Sequence, residues 1–118
     1  MAKMRETNSS FMNGVPELLI LRCLKDREMY GYELVQEIRA RTDAVVTLGE
    51  GVLYPLLHAL ERKGALQSRR KTVQGRSRVY YAITPTGAER LAGLSNAWTT
   101  LATAIGQVMQ GDAHVAAV

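Results

Sequence analysis

The sequence predicts a small, mostly α-helical domain with one β-hairpin, followed by a long C-terminal helix. Three observations support this fold class: three short segments have helical apolar spacing, two segments alternate around a turn, and a last segment repeats its apolar residues like a coiled coil. The chain has 118 residues and a hydrophobic fraction of 47%, which suits one small domain with its own core.

The first two helices are predicted from their apolar residues. Residues 15–25 are mostly apolar, with Pro16 at a position that fits the first turn of a helix. Residues 29–41 are amphipathic, and their apolar face comprises Leu34, Val35 and Ile38. Residues 42–49 are β-branched but short, so they fit either a loop or an edge strand.

The third helix is predicted over residues 50–63, with Gly64 as its C-terminal stop. Its leucines recur at i, i+3, i+4 and i+7 and therefore share one face: Leu53, Leu56, Leu57 and Leu60. Tyr54 flanks the opposite face, which comprises Gly51, Pro55, His58 and Arg62. A proline inside a helix costs about 3 kcal/mol, so one alternative is that this helix starts later and leaves Pro55 harmless.

A β-hairpin and a long helix are predicted next. Residues 66–73 and 76–83 alternate around Gln74 and Gly75, which fits two strands and a tight turn. Thr84 and Pro85 then form a strong helix start. Apolar residues spaced 3, 4, 3, 4, 3 follow, a heptad seam of Leu91, Leu94, Trp98, Leu101, Ile105 and Val108.

The seam predicts a partner for the last helix. A helix over residues 85–110 is about 39 Å long, which exceeds what a small domain needs. The same helix of a second copy is the simplest partner, and the chain then divides into four parts. We expect a mobile arm at 1–13, a folded unit at 14–83, a dimerisation helix at 84–110 and a disordered tail at 111–118.

Positive charge is concentrated in one stretch. Seven basic residues and no acidic residue lie between Arg62 and Ala88, whereas the rest of the chain has 8 basic and 11 acidic residues. Such a patch suits a polyanion, because cations that neutralise phosphates release condensed counterions. The alternative is a solvated basic surface, which is what charge runs usually form.

Several other classes of protein are not indicated. No apolar run approaches the length of a membrane span, and no signal peptide is evident, so we expect a cytoplasmic protein. The single cysteine, Cys23, lies in an apolar run, and His58 and His114 show no metal-ligand spacing with it. No nucleophile, metalloprotease or phosphate-loop motif occurs, so we expect neither an enzyme nor a cofactor.

Helices two and three, joined by a short segment, can form a helix-turn-helix whose later helix enters the major groove of DNA, and the basic hairpin would flank it as a wing. The sequence resembles the PadR family of bacterial transcriptional regulators over roughly residues 15 to 110. The matching motifs, in order, are YGYEL at 30–34, GVLYPLLHALERKG at 51–64, RSRVYY at 76–81 and ITPTG at 83–87. The single C-terminal helix is similar to that of the compact subgroup.

The resemblance implies a homodimeric repressor that binds a pseudo-palindromic operator in double-stranded DNA. It also implies release by a small aromatic or hydrophobic effector stacked on a tryptophan at the position of Trp98, although a tryptophan in a seam is normally packing. Family members commonly have Ser-Pro where Gly49-Glu50 stands and a small hydroxylated residue where Val52 stands. A small-molecule-binding dimer without a regulatory role on DNA is the alternative.

Candidate DNA-binding residues lie on the third helix and the hairpin: Gly51, Tyr54, Pro55, His58, Arg62, Arg69, Arg70, Lys71, Arg76 and Arg78. The resemblance favours retention of Pro55 for shaping the reading surface. Tyr54 either contacts a phosphate or covers the edge of the core, and His58 either touches DNA or is simply exposed. Alternation along a strand predicts that two or three of the five hairpin cations face the duplex.

Overall fold

A computed structural model describes residues 14–110, so the arm expected at 1–13 and the tail expected at 111–118 lie outside the described residues. Seven elements occur in the described range. In chain order they are α1 (Val15–Asp26), β1 (Met29–Tyr30), α2 (Gly31–Arg41), α3 (Glu50–Arg62), β2 (Leu66–Val73), β3 (Arg76–Ile83) and α4 (Pro85–Met109). Residues 42–49 form a loop, which was one of the two predicted alternatives.

The core lies between the first three helices and one face of the sheet. Its fully buried side chains on these helices are Ile20, Leu21, Leu34, Ile38, Leu53, Leu57 and Leu60, whereas Val35 and Leu56 of the predicted apolar faces are half-buried. Met29 and Leu66 extend this cluster to the sheet. Burial of each such side chain contributes about 1.5–3 kcal/mol, so the leucine face of α3 fixes which of its sides remains open to solvent.

The prediction that the second helix begins at Met29 was wrong by two residues. Met29 and Tyr30 instead form β1, which pairs antiparallel with β3 in the register Met29 to Tyr81 and Tyr30 to Tyr80. The Tyr30 N–H then donates a hydrogen bond to Glu33 Oε1 at 3.3 Å. This capping contact starts α2 after the strand has ended.

The hairpin of β2 and β3, called the wing below, has the predicted strand bounds. Gln74 and Gly75 have φ of 53° and 79°, as expected for a two-residue hairpin turn in which both residues adopt positive φ. The sheet order is β1-β3-β2, so β3 is central. The wing therefore projects from a sheet whose base belongs to the core.

Pro55 lies inside α3, so the alternative of a later helix start was wrong. The helix begins at Glu50, and Gly49 precedes it with extended backbone angles. Since proline has no N–H, the Gly51 carbonyl lacks its usual donor four residues along the helix. The missing hydrogen bond does not expose the leucine face, since Leu53 before Pro55 and Leu57 after it are both buried.

The last helix begins on the body of the domain and then leaves it. The Thr84 hydroxyl oxygen accepts from the Gly87 N–H at 3.0 Å, which confirms the predicted N-cap. Leu91 is 5% exposed and belongs to the core, and Leu94 is half-buried against it. Among the described residues, no helix is long and apolar enough to cross a membrane.

Candidate nucleic-acid interface

The exposed side of α3 is the one opposite its leucine face. Gly51, Pro55, His58 and Arg62 are all exposed there, as their spacing predicted. Tyr54 differs, because it is half-buried and packs against the edge of the core. Its hydroxyl lies where a side chain on Gly31 would begin, 2.3 Å from an ideal Cβ, so the glycine at position 31 makes room for this ring.

A cleft separates α3 from the wing and brings predicted residues of both together. Tyr54 and His58 contribute from α3, and Arg70, Ser77 and Arg78 contribute from the wing. The cleft has a volume of about 370 Å³. Arg70 donates from Nη1 to the Ser77 hydroxyl at 3.2 Å, which holds the guanidinium on this side of the hairpin. A hydroxyl, an imidazole and a guanidinium along one cleft are suitable partners for a phosphate backbone.

The outer face of the wing, opposite the cleft, has two cations that pair with an acidic residue. Glu28, just before β1, accepts from Arg69 Nη2 at 2.9 Å and from Lys71 Nζ at 2.6 Å. Hydrogen bonds from Arg69 and then Lys71 lower the pKa of the Glu28 carboxyl to about 2. The sequence reasoning missed Glu28, since these pairs join residues 41 and 43 positions apart. No local pattern signals them.

Two tyrosines extend this outer face. The rings of Tyr30 and Tyr80 meet edge to face with centroids 5.4 Å apart. Lys71 Nζ lies 4.4 Å from the Tyr80 centroid, and the Arg78 guanidinium lies 4.3 Å from the Tyr30 centroid. Each cation–π contact contributes about 0.5–1 kcal/mol at an exposed site. Arg69, Lys71 and Arg78 therefore each contact a partner within the chain.

The five hairpin cations thus divide into groups. Arg70 faces the cleft, Arg78 borders it over the Tyr30 ring, Arg76 is exposed next to the turn, and Arg69 and Lys71 pair with Glu28 on the outer face. Residues directly opposite each other in the register share a face, which places Arg69 with Tyr80 and Arg70 with Val79. Adjacent arginines on β2 are therefore in different environments.

A second cavity lies between the start of α1 and the middle of α4. It has a volume of about 160 Å³ and an apolar lining that includes Val15, Leu18, Leu94, Trp98 and Leu101. Trp98 is 51% exposed, Leu101 and Ile105 are similar, and Val108 is 82% exposed. The N-terminal part of the seam is thus covered by the chain itself, and Leu91 is unavailable to a partner.

Metal and thiol chemistry is not supported by the part of the chain that the structure describes. No group of three or more potential metal ligands occurs between residues 14 and 110. Cys23 is buried, and burial raises the pKa of its thiol, which keeps it in the unreactive protonated form.

Comparisons with known proteins agree with this arrangement. A family model described as the transcriptional regulator PadR-like family matches residues 20–93, which extend from α1 into α4. The chain belongs to the PadR-like family. It is 36% identical over 106 residues to Transcriptional regulator Rv3488 of Mycobacterium tuberculosis, covering 90% of this chain and 94% of that protein.

Solved structures of PadR-like relatives have the same fold. A PadR-like transcriptional regulator from Bacillus cereus superposes with a TM-score of 0.77 at 30% identity, covering 88% of this chain and 100% of that one. A transcriptional regulator from Clostridium thermocellum gives 0.77 at 29% identity, covering 84% and 97%. This PadR-like protein is therefore a DNA-binding transcriptional regulator and not an enzyme. The alternative of a dimer without a role on DNA is not favoured.

Proposed function

We propose that this PadR-like protein is a cytoplasmic, homodimeric repressor that binds a pseudo-palindromic operator and releases it when a small apolar ligand binds. The observation that supports this proposal is the exposed apolar half of α4 beside the cavity at Trp98. One helix exposes Trp98, Leu101, Ile105 and Val108 along a single seam. A row of large apolar side chains of this kind usually marks an interaction surface.

A second copy of α4 is the partner best suited to bury this seam. Heptad spacing places the four exposed side chains on one stripe, and two such stripes bury each other in a coiled-coil arrangement. The two-fold symmetry of such a dimer matches an operator with two inverted half-sites about one helical turn apart. The cleft between α3 and the wing shares no residue with the exposed seam, so both copies present their DNA-facing surfaces independently of the interface.

The proposed dimer is tested by placing charged side chains at apolar positions of the seam. We expect Leu101→Glu combined with Ile105→Glu to give a monomer in sedimentation experiments and to reduce operator affinity. Thr103 lies opposite the seam on the same helix, so Thr103→Glu is the matched control and should remain dimeric. A double variant that stays dimeric would contradict the proposed interface.

In the proposed DNA complex, the exposed side of α3 lies in the major groove, and the wing reaches the adjacent backbone. The groove is about 12 Å wide and admits one helix. Tyr54, His58 and Arg70 then line a cleft through which a phosphate strand passes. Gly51, Pro55 and Arg62 on α3 and Arg76 and Arg78 on the wing flank this contact, whereas Arg69 and Lys71 face away from it towards Glu28.

Ligand release is proposed to operate through the cavity at Trp98. An apolar cavity of about 150 Å³ accepts a benzene-sized ring, and the cavity beside Trp98 is of that size. A second copy would enclose it further, because its open side adjoins the exposed seam. The proposed ligand is therefore an aromatic or flat hydrophobic molecule that stacks on the indole.

The tryptophan itself provides the assay, since the chain contains one tryptophan. Titration with planar aromatic compounds of one or two rings should quench Trp98 fluorescence and weaken operator binding over the same concentration range. Quenching without loss of DNA affinity would show a binding cavity that does not regulate. A polar compound of equal size is the control and should do neither.

A further inference from the structure

The first two turns of α3 expose a face that has no side-chain hydrogen-bond donor. Within residues 50–57, Leu53 and Leu57 are buried, and the exposed residues are Glu50, Gly51, Val52 and Pro55. Glu50 is acceptor-only when ionised, and the other three have no polar side-chain atoms. The hydroxyl donor of Tyr54 belongs to a half-buried side chain, and both Tyr54 and His58, the first exposed donor, line the cleft towards the wing and not this face.

This composition restricts which bases the helix can recognise directly. In the major groove, guanine is read by the donors of Arg or Lys, and adenine is read by Asn or Gln. None of these residue types occurs between residues 50 and 57. Glu50 can accept from the N4 amino group of cytosine, whereas the apolar residues suit thymine, whose C5-methyl group is recognised by apolar contact and needs no donor.

Val52 and Pro55 form a small apolar patch suited to such a contact. They are three residues apart in one helix and therefore neighbours on its surface. Val52 is 42% exposed, although a valine gains by burial. Gly51 beside them has no side chain, and open space surrounds the position of its absent Cβ, so a base edge can approach the helix closely.

We propose that Val52, flanked by Pro55, is a base-reading residue that selects thymine in each half-site through its methyl group. The inference rests on the proposed placement of α3 in the major groove. The wing and the cleft supply affinity for phosphates of any sequence, whereas Val52 supplies discrimination between thymine and the other bases.

Removal of the thymine methyl measures this contact directly. Burial of one such group is equivalent to about a 4-fold change in Kd, and a dimer that contacts one thymine in each half-site loses about 16-fold. Duplexes enriched from a random pool by the full-length protein are resynthesised with deoxyuridine in place of thymine. Binding of both duplexes is then compared for wild type, Val52→Ala and Val45→Ala.

The expected result is that wild type and Val45→Ala bind the deoxyuridine duplex more weakly, whereas Val52→Ala binds both duplexes equally. Val45 is also an exposed valine but lies in the loop before α3, so it controls for loss of apolar surface. An unchanged salt dependence on random-sequence duplex shows that Val52→Ala keeps its fold and its phosphate contacts.

Two outcomes would overturn the inference while leaving the proposed function intact. In the first, wild type binds an enriched thymine duplex and its deoxyuridine counterpart equally. In the second, Val52→Ala remains as sensitive to deoxyuridine as wild type. If the selection enriches no duplex, the proposed operator binding itself fails and the inference fails with it.

Discussion

Arg69 and Arg70 provide a sharp test of how the wing meets DNA, because neighbouring residues on one strand face opposite sides of the sheet. Arg70 lies in the cleft with Tyr54 and His58, held by its hydrogen bond to Ser77. Arg69 lies on the outer face, where Glu28 accepts hydrogen bonds from its Nε and Nη2 at 3.2 Å and 2.9 Å. We predict that Arg70→Ala weakens DNA binding and that Arg69→Ala does not.

The magnitude follows from counterion release. Each phosphate contact contributes about 0.9 to the slope of log K against log salt, so Arg70→Ala should flatten this slope by about 0.9 per bound protomer. Between about 50 and 200 mM salt, the affinity difference between wild type and Arg70→Ala should shrink by about 3.5-fold per protomer, or about 12-fold for a dimer. Arg69 is turned away from the cleft and hydrogen-bonded to Glu28, so Arg69→Ala removes no phosphate contact and its slope should equal that of wild type.

The assay is fluorescence anisotropy with a random-sequence duplex, since a phosphate contact needs no operator. Each variant is titrated at four or more salt concentrations, and the slopes are compared. Equal flattening by Arg69→Ala and Arg70→Ala would refute the division of the wing into two faces. A normal slope for Arg70→Ala would refute the phosphate contact in the cleft.

Three further predictions concern the wing, the acid stability and the last helix. Arg76→Ala combined with Arg78→Ala should weaken binding to all DNA sequences and flatten the salt slope by about 0.9 per lost phosphate contact; an unchanged slope in the same titration would contradict this. The Glu28 ion pairs should stabilise the fold fully above pH 4.5 and progressively less as pH falls to about 2, because folding lowers the pKa of this carboxyl. Glu28→Gln should therefore lose less stability than wild type across that window in urea titrations, and equal losses would show that the pairs do not stabilise the fold. Gly87→Ala should lower the free energy of unfolding by about 1–3 kcal/mol, since its Cβ would lie 2.1 Å from the Ala65 carbonyl oxygen. Gly93→Ala, in open space on the same helix, should raise it by about 0.5–1 kcal/mol, and similar effects of both changes in chemical denaturation would contradict the close approach at Gly87.

Local patterns predicted the elements whose stability is local. The turn at Gln74 and Gly75, the leucine face of α3 and the cap at Thr84 each depend on residues within one or two turns of each other, so their spacing was sufficient. The strand of Met29 and Tyr30 was missed because two residues have no detectable alternation. Their strand conformation depends on hydrogen bonds to a segment about 50 residues later in the chain.

The sequence named candidate residues on α3 and the wing, but it did not show which way their side chains face. The alternation of Arg69 and Arg70 predicted two faces, but only the pairing with Glu28 shows that Arg69 is the one with an acidic partner within the chain. The heptad spacing of α4 was equally ambiguous. Spacing alone does not distinguish a side chain that packs within its own chain, such as Leu91, from one that stays exposed, such as Ile105.

The anchoring of α4 constrains how the proposed ligand release would operate. The Thr84 hydroxyl donates to the Gly64 carbonyl at 2.5 Å, and the Thr84 N–H donates to the Ala65 carbonyl at 3.1 Å, directly after the end of α3. Breaking each bond costs about 0.5–1.5 kcal/mol net, and the close approach of Gly87 to Ala65 blocks sliding.

A ligand can shift an equilibrium only by its difference in affinity between the two states. A movement that keeps the Thr84 and Gly87 contacts therefore needs a smaller difference in affinity than one that breaks them. A tilt of α4 that carries the end of α3 with it meets this requirement. Because the start of α4 and the end of α3 then move as one unit, a change of angle at the Trp98 cavity would alter the spacing of the two reading helices in the dimer. Operator binding is sensitive to the distance between the two reading helices, because this distance must match the spacing between the half-sites.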